Sequence, residues 1–247
     1  MGKGIVFITG ASSGIGAAIA TEYASRGYDL GLFARRTDRL ESLRSSIAKA
    51  HGVRVEVAEL DVATIASVAP AIDAMRDRMG GLDVMIANAG ITGINRTGGG
   101  NVGLDVSIVQ VNLLGAIATI DAAARHFRKE KRGHLVGVSS VSAFAPIPGS
   151  GAYSASKAGL TSYLGAAREE LRKHGIRVTA VHPGWIKTEI TPDMEKYPYV
   201  VTAEAGAKEI VDGLVAGDEN IVVPAWPWKL IVPAMKLLPR RLLSKVF

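Results

Sequence analysis

Short apolar runs alternate with longer amphipathic stretches along almost the whole chain, and few folds accept that rhythm. Strand-like runs fall at 4–9, 29–34, 54–60, 82–87, 134–139, 177–181 and 221–223. Between them, helical spacing of apolar residues covers 14–26, 38–50, 65–79, 106–130, 152–174 and 203–216. The strand runs are nearly all apolar, so both faces need cover, as in a parallel sheet with helices on each side. Right-handed crossovers between such strands predict an α/β, doubly wound parallel sheet of about seven strands, with ligands at their carboxyl ends. No repeat or interdomain linker interrupts the pattern. Residues 1–224 read as one domain, with a lid at about 185–203, and 225–247 as a tail.

Bulk properties narrow the chemistry. The 247 residues are 48% hydrophobic and 21% charged, enough for one domain with a substantial core. There is no cysteine, which excludes disulfides, thiolate catalysis and cysteine-held metals. The histidines at 51, 126, 134, 174 and 182 lack ligand-like spacing, so no metal site is expected. The apolar run 5–8 is too short for a secretory h-region, and Val6 stands where myristoylation needs Ser or Thr. No stretch reaches about 18 uncharged apolar residues, so no spanning helix is expected. A cytoplasmic location follows as the expectation.

The net charge of +6 is uneven. Lys229, Lys236, Arg240, Arg241 and Lys245 give the tail five positive charges and no acid. The other 224 residues hold 24 of the 29 basic side chains against all 23 acids, a balance of +1. The body is therefore not a nucleic-acid-binding surface.

Thr9-Gly10-Ala11-Ser12-Ser13-Gly14-Ile15-Gly16 joins the first strand to the first helix. Glycines there let the backbone turn tightly and approach a pyrophosphate, whose charge the helix N-terminus favours. The same glycines also suit a ligand-free turn. The second strand ends Phe33-Ala34-Arg35-Arg36, where an NAD site would place a carboxylate against the ribose. Two guanidiniums suit a 2′-phosphate instead, so NADP(H) is expected over NAD(H), unless these arginines simply open a helix. Asp61-Val62 and Asn88-Ala89-Gly90 end the third and fourth strands and suit adenine and ribose contacts, or plain strand-end turns.

Tyr153 and Lys157 stand four apart, on one face of the expected helix. A phenol needs roughly 3 pKa units, about 4 kcal/mol, to reach neutrality. A neighbouring ammonium in a partly desolvated site is a plausible source. With Ser140 thirteen residues upstream of Tyr153, the arrangement points to proton transfer beside a redox cofactor.

These residues, with Asn112 and Pro183-Gly184-x-x-x-Thr188, give the chain a close resemblance to the short-chain dehydrogenase/reductases over nearly all of 4–224. The resemblance implies a Rossmann-like fold and an NADP-preferring carbonyl reductase. It implies Tyr153 as general acid or base, Ser140 as a hydrogen-bond partner of the substrate oxygen, and Lys157 holding the nicotinamide ribose while lowering the tyrosine pKa. Asn112 would anchor a water linking Lys157 to solvent. Pro183, Gly184, Ile186 and Thr188 would pass the nicotinamide and pyrophosphate. His182 departs from the asparagine expected before that Pro-Gly. The helices at 106–130 and 152–174 resemble the family's association helices, which implies a homodimer or homotetramer.

A small carbonyl or alcohol substrate would enter between 91–101, 142–150 and 185–201. Phe144, Ile147, Trp185, Tyr197 and Tyr199 give that lining a predominantly apolar character, although core packing explains any one of them. The resemblance of the tail to those of family members that reduce lipid-like ketones implies an apolar or lipid-like substrate. The tail mixes Trp226, Trp228, leucines and lysines without acids, which fits either a peripheral membrane contact through 225–247 or a terminal helix pair packed on protein. Competing readings are a noncatalytic NADP-binding sensor or scaffold, and a peripheral membrane protein on the same fold.

Overall fold

The computed structural model describes residues 3–189 and 199–237, the last two by backbone alone. Its element order follows the alternation in the sequence. Strands β1 (Ile5–Thr9), β2 (Asp29–Ala34), β3 (Val55–Glu59), β4 (Val84–Ala87), β5 (Gly133–Val138), β6 (Ile176–Pro183) and β9 (Asn220–Val223) form one sheet. Their spatial order is β3-β2-β1-β4-β5-β6-β9, and all pairings are parallel. The crossover from β3 to β4 reverses the winding direction, which places the crevice between β1 and β4 at the strands' carboxyl ends.

Helices cover both faces. On one lie α1 (Gly14–Ser25), α2 (Thr37–His51) and α7 (Ala203–Ala216); on the other lie α3 (Ile65–Met79), α5 (Ala116–Glu130) and α6 (Gly151–Arg172). Strand side chains alternate between the two layers. Val6 and Ile8 join Ile19, Leu40 and Ile210 on the first face. Phe7 between them joins Phe33, Met75 and Phe127 on the second, meeting Phe33 edge to face at 5.7 Å.

Four differences from the sequence reading stand out. The long helix begins at Val102 rather than 106, because Asn101 caps it by accepting from the Leu104 N–H. It runs as α4 (Val102–Val109), a widened π turn (Gln110–Gly115) and α5. This Val102–Glu130 stretch is long and apolar enough to cross a membrane, contrary to expectation, but residues such as Ile120, Ala123 and Phe127 bury it against the sheet. A small parallel pair, β7 (Ile186–Lys187) with β8 (Val201–Thr202), joins segments too short to carry a periodic signal.

The tail begins with a kinked helix, α8 (Ala225–Leu237). Trp228, Val232 and Met235 are buried with Val141 and Ala145 in a third apolar cluster. So far as it is described, the tail packs on the body; Arg240, Arg241 and Lys245 lie outside the described residues.

Candidate active site

Every expected site residue of 1–189 except Phe144 lines or directly supports one cavity of about 720 Å³ at the carboxyl ends of the strands. One end is built on the glycine loop. A Cβ on Gly16 would lie 2.4 Å from the Gly10 carbonyl oxygen and 2.5 Å from Asn88 Nδ2, so only glycine fits. Asn88 fixes the loop by donating from Nδ2 to Thr9 O (3.0 Å) and Gly10 O (3.1 Å). Thr9 Oγ1 returns the tie, accepting from the N–H groups of Asn88 and Ala89 at 3.1 and 3.2 Å. Ser13 is extended and its side chain leaves the α1 terminus uncapped, and the first-turn residues Gly14, Ile15 and Gly16, whose amides have no intrahelical partner, line the cavity.

Arg36 crosses this loop. Its Nη2 donates to Ser13 Oγ at 2.6 Å and to Ser12 Oγ at 3.2 Å. Arg35 also lines the cavity. From beyond β7, Glu189 reaches back and accepts from Arg39 Nη1 with both oxygens (2.7 and 2.6 Å) and from Arg36 Nη1 at 3.5 Å. Hydrogen bonding by Arg39 holds the Glu189 carboxyl below its usual range. Arg39 and Glu189 were not legible beforehand, because their pairing joins residues 150 apart. Asp61 turns one oxygen to the N–H of Ala63 at 3.0 Å, and Val62 packs beneath the π turn at Gly115. On the facing wall, Thr188 sits against Gly14.

At the other end, α6 presents Tyr153 and Lys157 one turn apart. Lys157 is buried; its Nζ donates to Val138 O at 2.8 Å and lies 5.8 Å from the centre of the Tyr153 ring. Burial brings the ammonium's pKa down to about 8. The expected acidification of Tyr153 does not follow from this arrangement. Burial pushes the phenol up, and a hydrogen bond with Ser140 pulls it back only in part. Both groups sit in the same dry wall, where each resists charge.

Ser139 and Ser140 have separate tasks. Ser139 Oγ donates to the Lys157 carbonyl at 2.9 Å and so anchors α6 to β5. Ser140 accepts from the Ser142 N–H at 3.2 Å and lines the cavity beside Tyr153. Asn112 is fully buried in the π turn and clamps the backbone of Ile91, donating to its O at 2.9 Å and accepting from its N–H at 2.8 Å. The Asn112 amide therefore fixes the segment after Gly90, where a Cβ would stand 3.5 Å from Lys157 Nζ.

A family model described as short chain dehydrogenase matches residues 4–197. The chain belongs to the short-chain dehydrogenase family. An uncharacterized oxidoreductase of Mycobacterium tuberculosis is 38% identical over 239 residues, covering 96% of this chain and 94% of the relative. A short-chain dehydrogenase from Sphingobium yanoikuyae, solved in complex with NADPH, is similar with a TM-score of 0.84 and 29% identity, over 94% of this chain and 93% of that one. An alcohol dehydrogenase from the archaeon Thermococcus sibiricus, complexed with 5-hydroxy-NADP, gives 0.81 and 28% over 89% and 95%. By family, this short-chain dehydrogenase is an oxidoreductase with a Rossmann-like fold.

The end of the cavity away from the glycine loop corrects one expectation. Ile147 and Trp185 line the cavity, but Phe144 does not, nor does Tyr199, which is exposed. The 3₁₀ turn Val141–Ala143 carries Phe144 onto the ring of His182, 4.8 Å away, within the third cluster. Tyr197 lies outside the described residues. The cavity also takes in Ile91, Thr92, Ser142 and Ser150, from the stretches 91–101 and 142–150 expected to border it.

Proposed function

We propose that the protein is an NADPH-dependent reductase of ketones or aldehydes, reversible toward the matching secondary alcohols, with Tyr153 as the proton donor. The reading rests on one convergence. Ser140, Tyr153 and Lys157 share a cavity with an anion-binding glycine loop and the Arg35-Arg36 pair. NADPH bound along that cavity would supply the hydride. Gly10, Ser12, Ser13, Gly14, Ile15 and Gly16 would hold its pyrophosphate, and Arg35 and Arg36 its 2′-phosphate. Asp61 and Val62 would border adenine, and Asn88, Ala89 and Gly90 the ribose. Pro183, Gly184, Ile186 and Thr188 would border the nicotinamide end.

Hydride arriving at a carbonyl carbon builds negative charge on its oxygen, and hydroxyl donors placed there stabilise the transition state. Ser140 and Tyr153 are such donors. A buried phenol with a raised pKa is protonated at neutral pH, which is the form that reduction consumes. Lys157, poised near pH 8, would bond the nicotinamide ribose and, once charged, ease proton loss from the phenol. Asn112 supports this end by holding Ile91, and the water relay expected of it belongs to the same reading. Both bound relatives named above carry NADP-type ligands, which supports the cofactor choice.

The wider expectations extend the reading. Val102 and Val106 of α4 are 70% and 61% exposed, an apolar face suited to a second copy. On α8, Trp226 and Leu230 are exposed beside the exposed Lys229, a composition suited to a lipid surface. The deciding experiment is Tyr153→Phe. Its turnover of carbonyl compounds should fall at least 10²-fold while NADPH affinity, followed by fluorescence, changes little. Turnover retained at the original rate would refute the acid–base role, whereas a wild type that binds NADPH without any turnover would favour the sensor reading.

A further inference from the structure

One polar group on the cavity wall has no task in the reaction as described. Ser142 is 4% exposed and lines the cavity, and its Oγ has no hydrogen-bond partner among the described residues. A buried hydroxyl left unpaired costs about 1–3 kcal/mol, so a chain that keeps one has a use to account for. The backbone of the same residue is engaged, since its N–H donates to Ser140 Oγ at 3.2 Å. Ser142 is therefore fixed relative to the serine that faces the reacting oxygen, and only its side-chain rotamer remains free.

Covalent geometry keeps a serine Oγ within about 4 Å of its own nitrogen, which puts Ser142 Oγ within about 7 Å of Ser140 Oγ. Each hydroxyl reaches an oxygen about 2.8 Å away. Two such donors can hold two oxygens on adjacent or next-adjacent carbons. The surrounding lining is apolar, from Val141, Ile147 and Trp185. Apart from Lys157, the charged lining residues Arg35, Arg36, Asp61 and Glu189 belong to the glycine-loop end already described. The second oxygen is accordingly a neutral hydroxyl or carbonyl.

We infer that Ser142 is a substrate-contacting residue that selects carbonyl compounds bearing a second oxygen on the α or β carbon, as in hydroxyketones and dicarbonyls. This deepens the carbonyl-reductase reading and rests on it for the identity of the first oxygen. A site with a polar group to satisfy discriminates strongly against the analogue that lacks the partner.

The test uses the full chain saturated with NADP⁺, titrated with cyclohexanol and with trans-1,2-cyclohexanediol while tryptophan fluorescence is followed. The wild type should bind the diol about tenfold more tightly, the worth of one neutral hydrogen bond. Ser142→Ala should erase that preference, and Ser142→Cys, a weak donor, should retain little of it. Thermal melts of the ligand-free protein should show Ser142→Ala at least as stable as the wild type, because an unpaired hydroxyl is removed. A structural hydroxyl would show the opposite. A diol preference equal in wild type and Ser142→Ala, or absent from the wild type, overturns the inference. Turnover is measured in parallel with cyclohexanone and 2-hydroxycyclohexanone. Binding preference with no reduction of either ketone would leave the subsite standing and sink the reductase reading instead.

Discussion

A single side chain, Asn88, pins the glycine loop after β1 to the end of β4. Its amide ties two strand ends together through Thr9 and Gly10, and the loop's close approach then forbids any side chain at Gly16. At this scale the sequence was most legible where residue type is forced by space or chemistry: the glycines, Tyr153, Lys157 and Ser140. It was least legible where two residues of one type stand side by side. Arg35 and Arg36 look equivalent in the chain, yet Arg36 alone bonds the loop serines. The prediction follows that Arg36→Asp weakens NADPH binding tenfold or more and NADH binding far less, measured by fluorescence titration. Equal loss of both would remove the phosphate contact from the reading. Phe144 illustrates the opposite limit: an aromatic beside a site is apolar whether it faces ligand or core, and here it faces core.

Among elements, the buried seam between β5 and β6 carries its own pH signature. Thr179 Oγ1 donates to Asp218 O at 2.7 Å and so accepts from His134 Nε2, 2.9 Å away, which requires a proton on Nε2. Burial, assisted by the charge of Arg177, lowers the His134 pKa to about 3. Its unfolded value is near 6.5. Between those pH values the unfolded chain binds the extra proton, so stability rises with pH and is lost on acidification below 6.5. Urea melts should show roughly 1.5 kcal/mol lost to this residue between pH 6.5 and pH 5. His134→Gln should flatten that part of the profile even if it starts less stable; an unchanged slope would contradict the buried neutral ring. The helices and main strands were legible because period 3.6 and apolar runs survive any context. The π turn at Asn112 and the β7–β8 pair were not, since both depend on partners distant in sequence.

The whole molecule has apolar surface left over. Val106 projects from α4 with Val102 beside it in sequence spacing, while the other side of that long helix is consumed by the core. Light scattering should find a dimer or larger species, and Val106→Glu should shift it toward monomer by placing a charge in the contact. A monomeric wild type would end the assembly reading. For the tail, liposomes of anionic lipid should retain the full chain more than a Trp226→Ser/Leu230→Ser variant; equal retention would discard the lipid surface.

That last comparison cannot be replaced by simply cutting the chain after Pro224. The ring of Trp228 occupies the space above Gly184, where a Cβ would come within 2.5 Å of the indole, and it braces Trp185 edge to face at 5.2 Å. Deleting α8 would strip the outer support from Gly184 and Trp185 at the cavity's rim, and losing a buried tryptophan alone costs about 3–5 kcal/mol. The tail's first half thus backs the Gly184-Trp185 rim of the cavity from outside, and shortening it to probe adhesion would register as lost stability instead.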